Sequence, residues 1–341
     1  MSWKAIWSLV VLVVCACPLS ASTYWVGTCH KGSFPTIMAA VTSSTVAAGS
    51  TVNVCPGLYQ EQVIISKPLT LRGTVAAGSS LVTIYPPTNP SYTESPVLIQ
   101  ELVPIVWVTT GPVTIQDINV DTTASCPSPP QVGFYYAGAS GKLDGVTFES
   151  LENGSPYCPG WGIWVENANS DTTSVTISDS FSDSGIIAVA QEPLPNVRLT
   201  VNITGNQLLI NWALPAGIYL SDVGGVVSGN FIHPAPGLQL NPYVGIIDDA
   251  PSATISGNTI VGEYPAQQLG WGIEITQNGA TVKSNKITNI TDAVVLLCHS
   301  ATVTGNTITL AEYGVFGVPS AFAGSNTFRL VGTELANNGC P

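Results

Sequence analysis

The stretch Ser256-Gly257-Asn258-Thr259-Ile260 has near copies beginning at Thr204, Ser228, Lys283, Thr304 and Gly324, and this recurrence constrains the fold more than any other feature. The asparagines of the copies stand at 206, 230, 258, 285, 306 and 326, so successive steps are 24, 28, 27, 21 and 20 residues. Self-similarity at such a step marks a solenoid, in which one short unit stacks on the next, and unequal steps place insertions between units. An asparagine at the same place in each unit suits a corner, because Asn accepts left-handed backbone angles and its side chain bonds nearby amides. Stacked corners can also bond to one another, satisfying polar groups that water does not reach.

Each unit carries two apolar strands. A leading strand enters the pentapeptide with a period of two, as in Ala253-Thr254-Ile255-Ser256, Ala280-Thr281-Val282-Lys283 and Ala301-Thr302-Val303-Thr304. A trailing strand follows and opens on a small residue, as in Gly217-Ile218-Tyr219-Leu220, Gly245-Ile246-Ile247-Asp248, Gly272-Ile273-Glu274-Ile275, Ala293-Val294-Val295-Leu296 and Gly314-Val315-Phe316. The pattern extends towards the N-terminus with Asp in the asparagine's place, in segments that start at Val175, Lys142 and Val113, with trailing strands at Gly185, Gly162 and Gly133. Charged residues make up only 9% of the chain, against about 25% in ordinary globular proteins. Its wealth of Gly, Ser, Thr, Val and Ile suits short strands and turns. The expected fold is all-β, a single-stranded right-handed parallel β-helix of about ten coils over residues 23–341. A stack of coils exposes strand edges at both ends. Residues 34–46 place Ile37, Ala40 and Val41 on one helical face, which predicts a short N-terminal capping helix, and Cys340 is positioned to staple the tail over the last coil.

The opening segment carries a family resemblance. Residues 34–41, FPTIMAAV, and residues 49–73, GSTVNVCPGLYQEQVIISKPLTLRG, resemble the first coil of the pectin lyase-like right-handed β-helix superfamily, and the later units are similar to the generic parallel β-helix repeat. Gly57-Leu58-Tyr59-Gln60-Glu61 matches the G-x-Y-x-E element of pectinesterases. That family also needs an R-x-W element, and none of Arg72, Arg198 and Arg329 is followed two residues later by Trp. Pectinesterase activity is therefore not expected, and Glu61 reads as a turn or strand-end residue.

Asp248-Asp249 is similar to the acid pair of polygalacturonase-like hydrolases, and two carboxylates are what glycoside hydrolysis requires. The G-H-G and R-x-K elements of those enzymes are absent, and the competing reading ends the strand here with the Asp pair capping a turn. By resemblance to pectate lyases, Asp222, Asp248, Asp249 and Glu274 on neighbouring coils would offer oxygens to calcium. Three histidines and one methionine beyond Met1 do not supply a copper site. No other cofactor is expected.

Residues 1–22 have the order of a secretory signal: Lys4, an apolar run from Ala5 to Val14, then small residues. Two processing routes are open, cleavage near Ala21 or Ser22, or acylation of Cys17 within the lipobox-like Val14-Cys15-Ala16-Cys17. No second apolar span follows. Six cysteines remain, Cys29, Cys55, Cys126, Cys158, Cys298 and Cys340, and an exported chain allows them to form disulfides. Sequential pairing is expected, 29 with 55, 126 with 158 and 298 with 340. No C-x-x-C occurs to suggest a metal site instead.

The residue after the inward apolar position of each trailing strand is Tyr135, Trp164, Ile187, Tyr219, Ile247, Glu274, Val295 or Phe316. Coils stack about 4.8 Å apart, so these residues would form an outward stripe roughly 34 Å long. Trp161 and Trp271 stand in the turns beside it. An apolar stripe of this extent marks a binding surface, unless long loops such as 193–200 and 234–243 fold over it. A net charge of −12 repels polyanions such as pectate or nucleic acid. The sequence therefore points to an exported, non-catalytic β-helix that binds a carbohydrate or a surface partner through Tyr135, Trp161, Trp164, Tyr219 and Trp271. The alternative is a polysaccharide hydrolase or lyase with Asp248 and Asp249 as its carboxylates.

Overall fold

The computed structural model describes residues 22–340, except 75–80, 124–128, 151–159, 170, 192–198, 211–215, 235–242, 263–269, 321 and 323. The leader, Cys17, Cys126 and Cys158 thus lie outside the described residues. The chain is a parallel β-helix. Its leading strands form an 11-stranded sheet, running from Thr23–Val26 through Ser252–Ser256 to Thr302–Thr304. The expected two strands per unit become three, because the residues after each asparagine form a short middle strand of their own, such as Thr259–Val261.

Each face stacks one aliphatic residue on the next. Ile203, Val227, Ile255, Val282 and Val303 are in register on the leading face. Leu208, Ile232, Ile260, Ile287 and Ile308 follow on the middle face, and Ile218, Ile246, Ile273, Val294 and Val315 on the trailing face. All are buried, and burial of each such side chain is worth about 1.5–3 kcal/mol against exposure. Trailing strands open on glycine for a packing reason. A Cβ on Gly245 would meet Ile260 Cγ2 at 2.8 Å, and one on Gly217 would meet Ile232 Cγ2 at 2.9 Å.

The asparagines bind from coil to coil. Asn258 donates its backbone N–H to Asn285 Oδ1 at 2.9 Å and its side-chain Nδ2 to the same oxygen at 3.0 Å, and Nδ2 also reaches Val227 O at 3.0 Å. The same triad of bonds links 206 to 230, 230 to 258, 285 to 306 and 306 to 326. Upstream, the expected Asp-for-Asn exchange is corrected. Asp117, Gly145 and Asp179 occupy the left-handed position that Gly205 holds, with φ of 53°, 61°, 51° and 69°. The strand register then sets Ile118, Val146 and Ser180 in the asparagine's place. Asp tolerates the positive φ, whereas the next position points into the core.

The unequal repeat steps are explained at the middle-to-trailing corner. In the last coils the two strands run together as Lys286–Val295, Thr307–Phe316 and Thr327–Ala336, bending at Asn289, Leu310 and Leu330 with φ of 60°, 55° and 55°. Earlier coils place extra residues there, such as 263–269.

At the N-terminal end the helix Ile37–Thr42 buries Ile37, Ala40 and Val41, as expected. The amides of Ile37 and Met38 donate to the two carboxylate oxygens of Glu61, each at 2.8 Å. Glu61 therefore caps a helix, satisfying amides that have no partner within it. Disulfides join Cys29 to Cys55 and Cys298 to Cys340. Among the described residues, no helix is long and apolar enough to cross a membrane.

Asn258→Ala removes the acceptor of two Asn230 donors inside the stack, and leaving a buried polar group unpaired costs about 1–3 kcal/mol. Thermal and urea unfolding should show a clear loss for Asn258→Ala. Half-buried Asn326 ends the ladder, so Asn326→Ala should cost distinctly less, and equal losses would contradict a ladder-wide role.

Candidate functional site on the trailing face

The outward residues of the trailing strands stand in one register, Tyr135 beside Trp164, then Ile187, Tyr219, Ile247, Glu274, Val295 and Phe316. The column continues upstream through Trp107 and Ile64. Its exposure is not uniform. Tyr135, Trp164 and Ile187 are 1%, 0% and 1% exposed. With Leu102, Val132 and Val189 they form a second apolar cluster outside the solenoid core, with Trp107, Trp161 and Tyr219 at its margin. A hairpin contributes to the cover: Thr93–Ser95 runs antiparallel to the first part of Gln100–Val108. The expectation that Tyr135 and Trp164 present open rings is thus corrected, since they pack against each other edge-on at 6.4 Å and Trp164 packs likewise on Trp161 at 5.8 Å. The loops at 192–198 and 235–242, expected as a cover, lie outside the described residues.

The remainder of the column is partly open except at Val295, which is fully buried. Trp161, Tyr219, Ile247, Trp271, Glu274 and Phe316 are all half-buried. The Trp271 side chain hydrogen-bonds Asp292 of the next coil. Burial pushes the Asp292 carboxyl up to about 6, Glu312 adds to the rise, and this bond from Trp271 opposes it.

Glu166, two residues beyond Trp164 on the same outward side, escaped the sequence reading. It is 1% exposed. Its carboxylate accepts from the Tyr135 hydroxyl, from Ser95 Oγ at 2.5 Å and from Trp164 Nε1 at 3.2 Å. Burial raises its pKa above the usual carboxylate range, and the three donors oppose the rise. Burial and the neighbouring Glu166 likewise hold the Tyr135 phenol protonated. Glu166 thereby ties the covering hairpin, through Ser95, to the two aromatic rings beneath. Beside it lies a cavity of about 170 Å³ bordered by Glu94, Trp107, Tyr135 and Asn169, room for several waters at ~30 Å³ each. The sequence signal was present, an acid in the outward phase of a strand whose neighbours are aromatic.

Asp248 and Asp249 do not form a pair. The strand Tyr243–Asp249 continues through both residues, so the expected turn cap is not made and alternation sends the two side chains to opposite faces. Asp248 stands between Leu220 and Ile275 in the inward column. It is 0% exposed, with no hydrogen-bond partner for either oxygen. Burial raises its pKa to about 7; the nearby Ala250 amide opposes this and Asp249 adds to it. Asp249 faces outward and accepts from Thr276 Oγ1 at 2.7 Å and Gln277 Nε2 at 3.1 Å. The oxygen set Asp222, Asp248, Asp249 and Glu274 is therefore split by the sheet, and among the described residues no cluster of three His, Cys, Asp or Glu suits a metal ion.

No protein-family model matches the sequence, and no curated protein matches it. Solved structures do match the fold. A GH136 lacto-N-biosidase from Eubacterium ramulus aligns with a TM-score of 0.65 at 11% identity over 92% of this chain, which spans 65% of that protein. Its selenomethionine derivative aligns at 0.61 and 10% identity, again over 92% of this chain and 68% of the other. PfbA, a surface adhesin of Streptococcus pneumoniae, aligns at 0.49 and 12% identity over 84% of this chain and 85% of that one. At these identities the likeness defines the parallel β-helix.

Asp248 gives a pH-dependent term of defined sign. Its folded-state pKa, about 7, lies above that of the unfolded chain, so the stability it contributes is present below about pH 4 and is lost as pH rises through 7. Asp248→Asn should remove a penalty on the order of a few kcal/mol above neutrality. Melts followed by circular dichroism should show the variant outlasting the wild type at alkaline pH, with the gap closing in acid. Parallel melting curves across the range would refute the buried acid as the cause.

Proposed function

We propose that this protein is an exported, non-catalytic β-helix of the pectin lyase-like type that binds a neutral carbohydrate along the open part of its trailing face. The observation that carries this reading is the register of Tyr219, Ile247 and Glu274, half-buried residues on successive coils that begin where the covered cluster ends, with half-buried Phe316 two coils further on, beyond the buried Val295. From Tyr219 to Phe316 the column rises four coils, about 19 Å at 4.8 Å per coil. Half-buried apolar side chains supply flat contacts, with Trp271 beside them, while Glu274 and Asp249 offer acceptors to sugar hydroxyls. Such a mixture of apolar contact and a few placed polar groups is typical of ligand sites.

Other observations agree with export and with a neutral ligand. The two disulfides among the described residues favour an oxidising compartment, and the net charge of −12 disfavours polyanions. The likeness of this fold to a lacto-N-biosidase agrees with a carbohydrate-related role. The catalytic alternative loses its residue-level support, because Asp248 is turned into the core and Asp249 is bound by Thr276 and Gln277.

Retention on a panel of insoluble neutral glycans tests the reading. Tyr219→Ala and Trp271→Ala should each weaken retention by about tenfold, the scale of losing one aromatic contact at a binding centre. Unchanged retention in both variants, or no retention of the wild type on any glycan of the panel, would remove the carbohydrate reading.

A further inference from the structure

The two ends of the solenoid are finished differently. At the N-terminal end the helix Ile37–Thr42 covers the core. At the C-terminal end the strand Thr327–Ala336 pairs on one side with Thr307–Phe316, and its other side has no partner strand among the described residues. Phe328, Val331 and Leu335 lie in register with core residues Ile308, Ala311 and Val315, yet Leu335 is 47% exposed and Phe328 and Val331 are only half-buried. The following residues do not close this edge. Asn337 bonds back to Val318 O at 2.8 Å, and Cys340 is tied to Cys298. An unpaired ten-residue edge with apolar residues on its inner side is a template for another strand.

We propose that this edge pairs with the same edge of a second copy of the chain, antiparallel about a two-fold axis near Val331 and Gly332. The strand is self-complementary in that arrangement. Reversed upon itself about its midpoint, it sets Thr327 opposite Ala336, Phe328 opposite Leu335 and Arg329 opposite Glu334. Residues directly opposite in an antiparallel pair project to the same face. Phe328 and Leu335 both belong to the inner side, and Arg329 and Glu334 to the outer, so apolar meets apolar and cation meets anion. By symmetry each pair occurs twice. Neither charge forms an ion pair among the described residues, where the ion pairs join Arg72 to Asp117 and Lys142 to Asp144.

The bend at Leu330 suits the operation, because a two-fold axis through the apex of a bent strand exchanges its arms. The two cores would then meet and bury the layer of Phe328, Val331 and Leu335. The helix plug blocks head-to-tail stacking on the opposite end, so the contact is isologous and closes at a dimer instead of growing into a fibre. A monomeric end left to solvent, and an edge taken by a different protein, are the other outcomes of the test.

The test is sedimentation equilibrium on the mature chain over a range of concentrations. The wild type should form a concentration-dependent dimer. Arg329→Glu and Glu334→Arg should each weaken it by at least about tenfold, because like charges then face each other twice. The double variant should recover the wild-type dimer, and circular dichroism should show all three variants folded. A second readout is Thr327→Cys/Ala336→Cys, which should link two chains covalently under oxidation. A wild type that stays monomeric throughout, or a dimer untouched by both single charge reversals, would overturn the proposal. Failure of the double variant to recover the dimer would overturn it as well.

Discussion

Everything in this molecule depends on one coil presenting to the next a surface like the one it received. The backbone does this through parallel pairing on three faces, the core through stacks of branched aliphatic residues, and the corner through the asparagine ladder. The corner is the demanding part. A chain that turns sharply in the interior leaves amides and carbonyls with no water to bind, and each asparagine satisfies an amide of the coil before it and a carbonyl as well. The ladder therefore makes the corner strand-like in its hydrogen bonding. In the N-terminal coils Ile118 and Val146 take that place, and hydrophobic packing substitutes for the ladder.

The trailing face shows how one repeat yields two kinds of surface. Its outward column is continuous in register, but the hairpin after Thr93 lies over the upstream part, and Glu166 holds that cover down through Ser95. Downstream, Tyr219 and its neighbours are left half-open. Loop insertion at the middle-to-trailing corner sets this difference, because that corner can lengthen without disturbing the ladder on the opposite side of the coil. A solenoid can thus vary its surface at a position where its core is indifferent to chain length.

Buried carboxylates illustrate how context divides chemically equal groups. Glu166 is buried but receives three donors and acts as a tie. Asp248 is buried with none and burdens the fold once it must ionise. Glu61 sits at a helix end whose amides need an acceptor. Three acids thereby become a tie, an unpaired core residue and a cap, and the distinction rests on what each carboxylate meets.

Much of the architecture was legible in the sequence, because repeat period, two-residue alternation and corner asparagines are short-range signals. They were enough to place the outward column residue by residue, to predict the helix through Ile37, Ala40 and Val41, and to pair Cys29 with Cys55 and Cys298 with Cys340. The middle strand was missed because it is too short to show a period. The Asp residues upstream were set late, Asp117 and Asp179 by one position and Asp144 by two, since a glycine-like corner and an asparagine corner look alike in one dimension. What tertiary structure alone decided is which outward residues meet solvent. Tyr135 and Tyr219 have the same local pattern, and a hairpin dozens of residues upstream helps to bury the first. Burial depends on segments that other coils bring near, and no local pattern records them.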